Sequence, residues 1–214
     1  MYIALEGING CGKSTQARML YDYAVKKIGK DNVILTKEPT QGIYGKQIYK
    51  ILREKMQTSA VEMAMLFALD RREHHREVVD SAISQGKVVI GDRCIASSFA
   101  YQFGELNIRK SKFTDVDARN IFMSFIHSDM KMYKPDVLVV IDADIDKAHA
   151  KVVANGIPDM HESDAELEIS ARRRYLQMSD YIELEDFIVI EQLDTPELTS
   201  ELLTSKVSKY IIGV

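Results

Sequence analysis

A turn that neither a helix nor a strand tolerates opens this chain. Residues 4–16 read ALEGINGCGKSTQ, with Gly7, Gly10 and Gly12 inside six positions. Glycine at that density suits a backbone that must bend sharply. Gly7-Ile8-Asn9-Gly10-Cys11-Gly12-Lys13-Ser14 matches G-x-x-x-x-G-K-[ST], a pattern that works when a strand precedes it and a helix follows. Both neighbours are legible: YIAL lies ahead, and helical spacing runs from Lys13 to about Ile28. In such a loop successive backbone N–H groups turn inward around an anion, and the helix N-terminus adds partial positive charge. Lys13 then reaches the β- and γ-phosphates of a nucleoside triphosphate, and the Ser14 hydroxyl serves Mg²⁺.

The remainder of the chain repeats the alternation of strand and helix. Short runs rich in Val and Ile recur: YIALE (2–6), NVILT (32–36), KVVIGD (87–92), DVLVVID (136–142) and DFIVIE (186–191). Few alternate in and out, which is how strands buried on both faces read. Helical spacing fills about 42–55, 59–84, 115–131, 144–154, 164–182 and 196–211. The expected fold is therefore α/β, a parallel sheet covered by helices on both faces. The segment NGIPDMHESD (155–164), with Gly, Pro, acidic residues and little apolar material, reads as a mobile loop. No interdomain linker, repeat or low-complexity tract stands out, so residues 1–214 read as a single domain.

Bulk properties narrow the function. The chain has 214 residues and a net charge of −4, with a pI near 5.8, which argues against a nucleic-acid-coating protein. No apolar run approaches the roughly 20 residues of a membrane helix, and the first residues read as a strand rather than a signal peptide. The two cysteines, Cys11 and Cys94, are too few for a disulfide scaffold and fit a reducing, cytoplasmic setting. Cys11, beside Lys13 and a helix N-terminus, also reads as an activated thiol that ATP would shield. The alternative is a small residue with its sulfur turned inward.

Three further stretches carry chemistry. GDRCIASSFAYQ (91–102) puts an Asp-Arg pair at the end of the third strand, at the sheet edge where ligands bind. Arg93 can grip a phosphoryl oxygen with its fork, and Asp92 can hold Mg²⁺ directly or through water. MLFALDRREHH (65–75) puts Phe67 and Arg71 four apart on one helix face, suiting a flat base and a phosphate. TKEPTQGIYGKQI (36–48) has Pro39 stiffening a loop from which Glu38 and Thr40 project, beside the phosphate loop if the first two strands are neighbours. No [NT]-K-x-D guanine-reading motif is present.

Together these stretches resemble the thymidylate kinases, a branch of the P-loop nucleoside monophosphate kinases, over nearly the whole chain. LEGINGCGKSTQ resembles the family's F-E-G-x-D-G-x-G-K-S-[ST]-Q opening. KEPTQGIYGKQI resembles its R-E-P loop, LFALDR its L-F-x-A-D/N-R helix, and DRCIASSFAYQ its D-R-[YH]-x-x-S-x-x-A-Y-Q segment. The resemblance implies a five-stranded parallel sheet of P-loop kinase type, a lid near 155–164, a cytoplasmic homodimer, and transfer of the γ-phosphate of ATP to dTMP with Mg²⁺. It implies ATP binding by Gly7, Ile8, Asn9, Gly10, Cys11, Gly12, Lys13, Ser14 and Thr15, and catalysis by Lys13, Asp92 and Arg93. Ser14 and Asp92 serve the metal. Phe67 stacks on thymine, Arg71 holds the dTMP phosphate, and Arg93 lies between the two phosphates. Ser98 and Gln102 read the base edge, Tyr101 crowds the sugar C2′, and Glu38 completes the substrate set.

Three positions depart from the pattern. Asn9 replaces the usual Asp, Lys37 replaces the loop's Arg, and neither Cys11 nor 155–164 supplies the arginine that relatives place in the phosphate loop or lid. Lys151 and the run Arg172-Arg173-Arg174 flank the lid instead. The rival readings are a deoxynucleoside kinase, a kinase of another nucleoside monophosphate, and a nucleotide-gated binding switch on the same fold.

Overall fold

The computed structural model describes residues 1–108 and 116–213. The expected start of a helix at residue 115 lies outside them. All five apolar runs are strands: β1 Tyr2–Glu6, β2 Val33–Lys37, β3 Val88–Asp92, β4 Val137–Asp142 and β5 Asp186–Glu191. They form one sheet in the order β2-β3-β1-β4-β5, parallel throughout. β1 and β3 are buried along their whole length, so both faces are covered and no in/out alternation is needed. The edge strands β2 and β5 are more open.

The helices are α1 Lys13–Ile28, α2 Ile43–Glu54, α3 Ala60–His74, α4 Asp80–Ser84, α5 Ile95–Ile108, α6 Val116–Met132, α7 Ile145–Ala154, α8 Ala165–Leu176 and α9 Pro196–Ile212. α3 starts on a capping box, Ser59 and Glu62 satisfying each other's backbone N–H groups. It continues through a π turn, His75–Val79, into α4, which is the single long stretch expected for 59–84. α1 and α9 pack together on the sheet, while α5 joins α3, α6 and α8.

α5 is the helix the periodicity does not reveal. Cys94, Ile95, Ala96, Ser97, Ser98, Phe99, Ala100, Tyr101 and Gln102 are all buried. A helix enclosed on every side has no polar stripe, so its 3.6-residue signal vanishes. The register corrects a second expectation. β3, not β2, lies beside β1, with Leu5 opposite Asp92 and Lys37 opposite Asp92. The loop after β2 is therefore one strand further from the phosphate loop than adjacency would put it.

Candidate active site

The carboxyl edge of the sheet gathers the site. β1 ends at Glu6 and the chain turns at Gly7 (φ 142°) and Gly10 (φ 78°). A Cβ at Gly7 would lie 2.5 Å from the Ile141 carbonyl oxygen, and one at Gly10 would run into that of Ala148. The loop thus presses against the end of β4 and against α7, and only glycine fits. Lys13 folds back over it, donating to the carbonyls of Gly7 at 2.9 Å and Ile8 at 2.7 Å. Burial, and then Arg93, hold the Lys13 ammonium below its ordinary pKa. An incoming anion relieves both effects. Ser14 donates to Asp92 Oδ2 at 2.5 Å, which brings the two proposed metal-serving oxygens together. Cys11 is 1% exposed, with its sulfur 3.7 Å from Lys13 Nζ. The sulfur faces inward, and the exposed-thiol reading of Cys11 is set aside.

Arg93 stands at the centre with φ 77°, a strained value for a residue with a Cβ. Its backbone N–H pairs with Leu5 O at 3.0 Å. Its guanidinium donates to Ser97 Oγ at 2.8 Å, to the Tyr175 hydroxyl at 3.3 Å and to Asn9 Oδ1, and lies 5.5 Å over the Tyr101 ring. Beneath it is Glu6, fully buried. This carboxylate accepts from the N–H groups of Cys94 and Ser97, both at 2.9 Å. It also accepts from the Tyr175 hydroxyl at 2.9 Å. Glu6 ties the first turn of α5 to β1 and so fixes where Arg93 projects.

Phe67, Tyr101 and Gln102, the residues expected to meet the acceptor, line the same cleft as the phosphate loop, Asp92 and Arg93. Glu38 also reaches it, whereas Arg71 and Ser98 stand behind the wall. Arg71 is 1% exposed. It donates from Nε to Glu38 Oε2 at 3.0 Å and from Nη2 to Ser98 Oγ at 3.0 Å, with Asp129 of α6 3.5 Å from Nη1. Burial raises the Glu38 pKa, but Arg71 and then His74 outweigh it, and the carboxyl ends below its ordinary value. Gln102 is 2% exposed, and its Oε1 has no hydrogen-bond partner among the described residues. Thr40 turns away to Asp70, which accepts from its hydroxyl and its N–H.

The segment 155–164 is partly docked. The Met160 N–H donates to Leu52 O at 3.1 Å, and the His161 ring stacks on Tyr101 at 5.6 Å and 7°. Ile157 projects outward, 94% exposed. Of the basic residues flanking this segment, Lys151 lines the cleft. Arg172 is clamped to Asp142 at 2.6 and 2.9 Å, Arg173 is exposed, and Arg174 lies 4.5 Å over the Phe103 ring.

Several site residues escaped the sequence reading: Glu6, Tyr49, His161, Glu168, Tyr175 and Gln192. Gln192 follows β5 and donates to Cys11 O at 2.7 Å. Glu168 meets Asn9 across 159 positions of chain. No local pattern announces such pairs. Only Glu6, inside the LEG of the first motif, had a sequence signal.

The cleft encloses about 610 Å³, within the range of small-molecule sites. Residues 5–201 match the family model for thymidylate kinase. A "Probable thymidylate kinase" of Thermococcus onnurineus is 32% identical over 190 residues, covering 84% of both chains. The thymidylate kinase of Anaplasma phagocytophilum is 34% identical over 158 residues, 73% of this chain and 68% of that one. The fold superposes on the crystal structure of thymidylate kinase from Ehrlichia chaffeensis with a TM-score of 0.69 at 22% identity, covering 97% of this chain and 98% of that one. With this match along nearly its whole length, the chain belongs to the thymidylate kinase family.

Proposed function

We propose that this chain transfers the γ-phosphate of ATP to dTMP, yielding ADP and dTDP. One observation carries the reading. A single cleft runs from an anion-cradling loop (Gly10 to Thr15) past Arg93 to Phe67, Tyr101 and Gln102, so donor and acceptor have room on opposite sides of one guanidinium. Phosphoryl transfer asks little covalent chemistry of a protein and depends on positioning and charge neutralisation. Lys13 and Arg93 neutralise charge on the transferred group. Lys151 adds a cation on the lid side. Phe67 offers its face to thymine, and Oε1 of Gln102, without a hydrogen-bond partner among the described residues, suits a base-edge donor. Tyr101 fills the space beside the sugar. A nucleoside acceptor, or a mere nucleotide switch, is not favoured, because family membership and the two-sided cleft both point to a monophosphate kinase.

Mg²⁺ fits the oxygens present. Ser14 Oγ and Asp92 Oδ2 supply a hydroxyl and a carboxylate, the hard donors it takes alongside phosphate oxygens. No group of three His, Cys, Asp or Glu gathers for a metal among the described residues. Ser14 and Asp92 would hold the ion, which when bound would supply charge neutralisation at the donor's phosphate oxygens. We read residues 1–214 as one kinase domain with a lid near 155–164, working in the cytoplasm as a homodimer. Met65 and Leu69, each 44% exposed one turn apart on α3, offer apolar surface for the second copy. Among the described residues no helix is long and apolar enough to cross a membrane.

Arg71 stands behind the cleft wall, paired with Glu38, and is proposed to serve the dTMP phosphate once the acceptor is bound. Arg71→Lys keeps a positive charge for Glu38 and Asp129 but loses the fork. It is expected to raise the dTMP KM at least about 10-fold, roughly the value of one charge-assisted hydrogen bond, and to leave the ATP KM within about 2-fold. Steady-state titration of each substrate checks this. An equal rise in both constants makes Arg71 a scaffold residue.

A further inference from the structure

The phosphate loop carries an amide where the family pattern has a carboxylate, and the side chain facing it supplies the reason. Asn9 is used at both ends. Nδ2 donates to Glu168 Oε1 at 2.7 Å, and Oδ1 accepts from Arg93. The backbone N–H of Asn9 donates to Glu168 Oε2 at 3.3 Å, and the Tyr101 hydroxyl donates to the same carboxylate at 3.1 and 3.2 Å. Glu168 is 7% exposed, so these bonds form largely away from water. An aspartate at position 9 still accepts from Arg93 but has nothing to donate to Glu168. Two carboxylates then face each other at hydrogen-bond distance, an arrangement that disfavours their ionised forms.

We infer that Asn9 and Glu168 are a matched latch, which fastens α8 to the phosphate loop and sets Asn rather than Asp at position 9. α8 begins at Ala165, directly after the 155–164 segment, on an N-cap from Asp164. Glu168 lies in its first turns. One carboxylate therefore holds the donor loop through Asn9 and the acceptor wall through Tyr101, whose ring meets both Arg93 and His161. Any outward swing of α8 with the lid breaks these bonds together. Glu168 touches neither phosphate in this scheme. It is a positioning residue, acting through Asn9 on Arg93 and through Tyr101 on the sugar.

The kinetic half of the test rests on the proposed reaction; the stability half does not. Asn9→Asp, Glu168→Gln and the double variant are prepared, and kcat, KM and melting temperature are measured for each. Asn9→Asp is expected to lower kcat/KM for dTMP at least about 10-fold, mainly through kcat, as expected for a buried like-charge contact. Glu168→Gln keeps one acceptor for Asn9 and is expected to cost about 3- to 10-fold. In the double variant the new carboxylate at position 9 accepts from Arg93 as before and also from the new amide at position 168, so the bond between the two side chains is kept with its direction reversed. It is expected to return to within about 3-fold of the parent, a coupling far outside additivity. A double variant no better than Asn9→Asp overturns the latch. If Asn9→Asp does not fold, recovery of folding and melting temperature in the double variant supports the latch, and failure of both overturns it. Should the parent not phosphorylate dTMP, the functional reading falls. The melting temperatures then decide the latch alone: loss in Asn9→Asp and recovery in the double variant uphold it, and no such recovery rejects it.

Discussion

Arg93→Ala is expected to lower the turnover of dTMP phosphorylation by at least about 10³-fold, the scale of losing a preorganised cation from a phosphoryl-transfer site. The guanidinium is already aimed before any substrate enters. Ser97, Tyr175 and Asn9 hold its nitrogens, and the Tyr101 ring lies beneath it. Fixed dipoles and charges stabilise a transition state without reorganising at the moment of reaction, which is where such a residue gains its effect. Its strained backbone, φ 77°, is held by the pairing of its N–H with β1, so the geometry survives truncation of the side chain. Circular dichroism on the purified variant separates loss of chemistry from loss of fold. A folded Arg93→Ala enzyme with near-parental kcat removes Arg93 from the mechanism.

Lys13→Ala is expected to cost a similar factor, again at least about 10³-fold in kcat, with a different signature. Nζ now rests on two loop carbonyls, Gly7 O and Ile8 O, and is disfavoured as a cation by burial and by Arg93. Polyphosphate is a stronger partner than either carbonyl, so the ammonium is expected to transfer to it as ATP binds. The loss should therefore appear in single-turnover chemistry and in ATP affinity, while the dTMP KM changes little. Isothermal titration with a non-hydrolysable ATP analogue and rapid-quench kinetics check both parts. Unchanged chemistry with weakened ATP binding confines Lys13 to ground-state binding.

What the sequence made legible follows its physics closely. The strands were readable because a parallel sheet buried on both faces leaves unbroken apolar runs, and the phosphate loop because its glycines answer a backbone demand that no other residue meets. α5 was not, since a helix wrapped in protein shows no stripe. The order β2-β3-β1-β4-β5 was equally hidden, because strands of similar composition do not announce their neighbours. The condition on which Glu38 was placed beside the phosphate loop is therefore not met, although Glu38 still reaches the shared cleft while engaging Arg71 and His74. Arg71 and Phe67 share a helix face as their spacing implies, yet one turn of helix moves Arg71 from the cleft to the wall behind it. Glu168 and Tyr175 sit in a helix whose charged sequence reads as surface. Their importance arises only when the fold brings them against Asn9 and Glu6, 159 and 169 positions away.

The identity of the acceptor is measured directly by an acceptor panel. Purified protein, ATP and Mg²⁺ are incubated with each nucleoside and each nucleoside monophosphate in turn, and ADP and phosphorylated product are quantified together by mass spectrometry. dTMP is expected to yield dTDP in one-to-one proportion with ADP, with the highest kcat/KM of the panel, and thymidine is expected not to be phosphorylated. Phosphorylation of thymidine with no turnover of dTMP, or a different monophosphate preferred over dTMP, contradicts the proposed function.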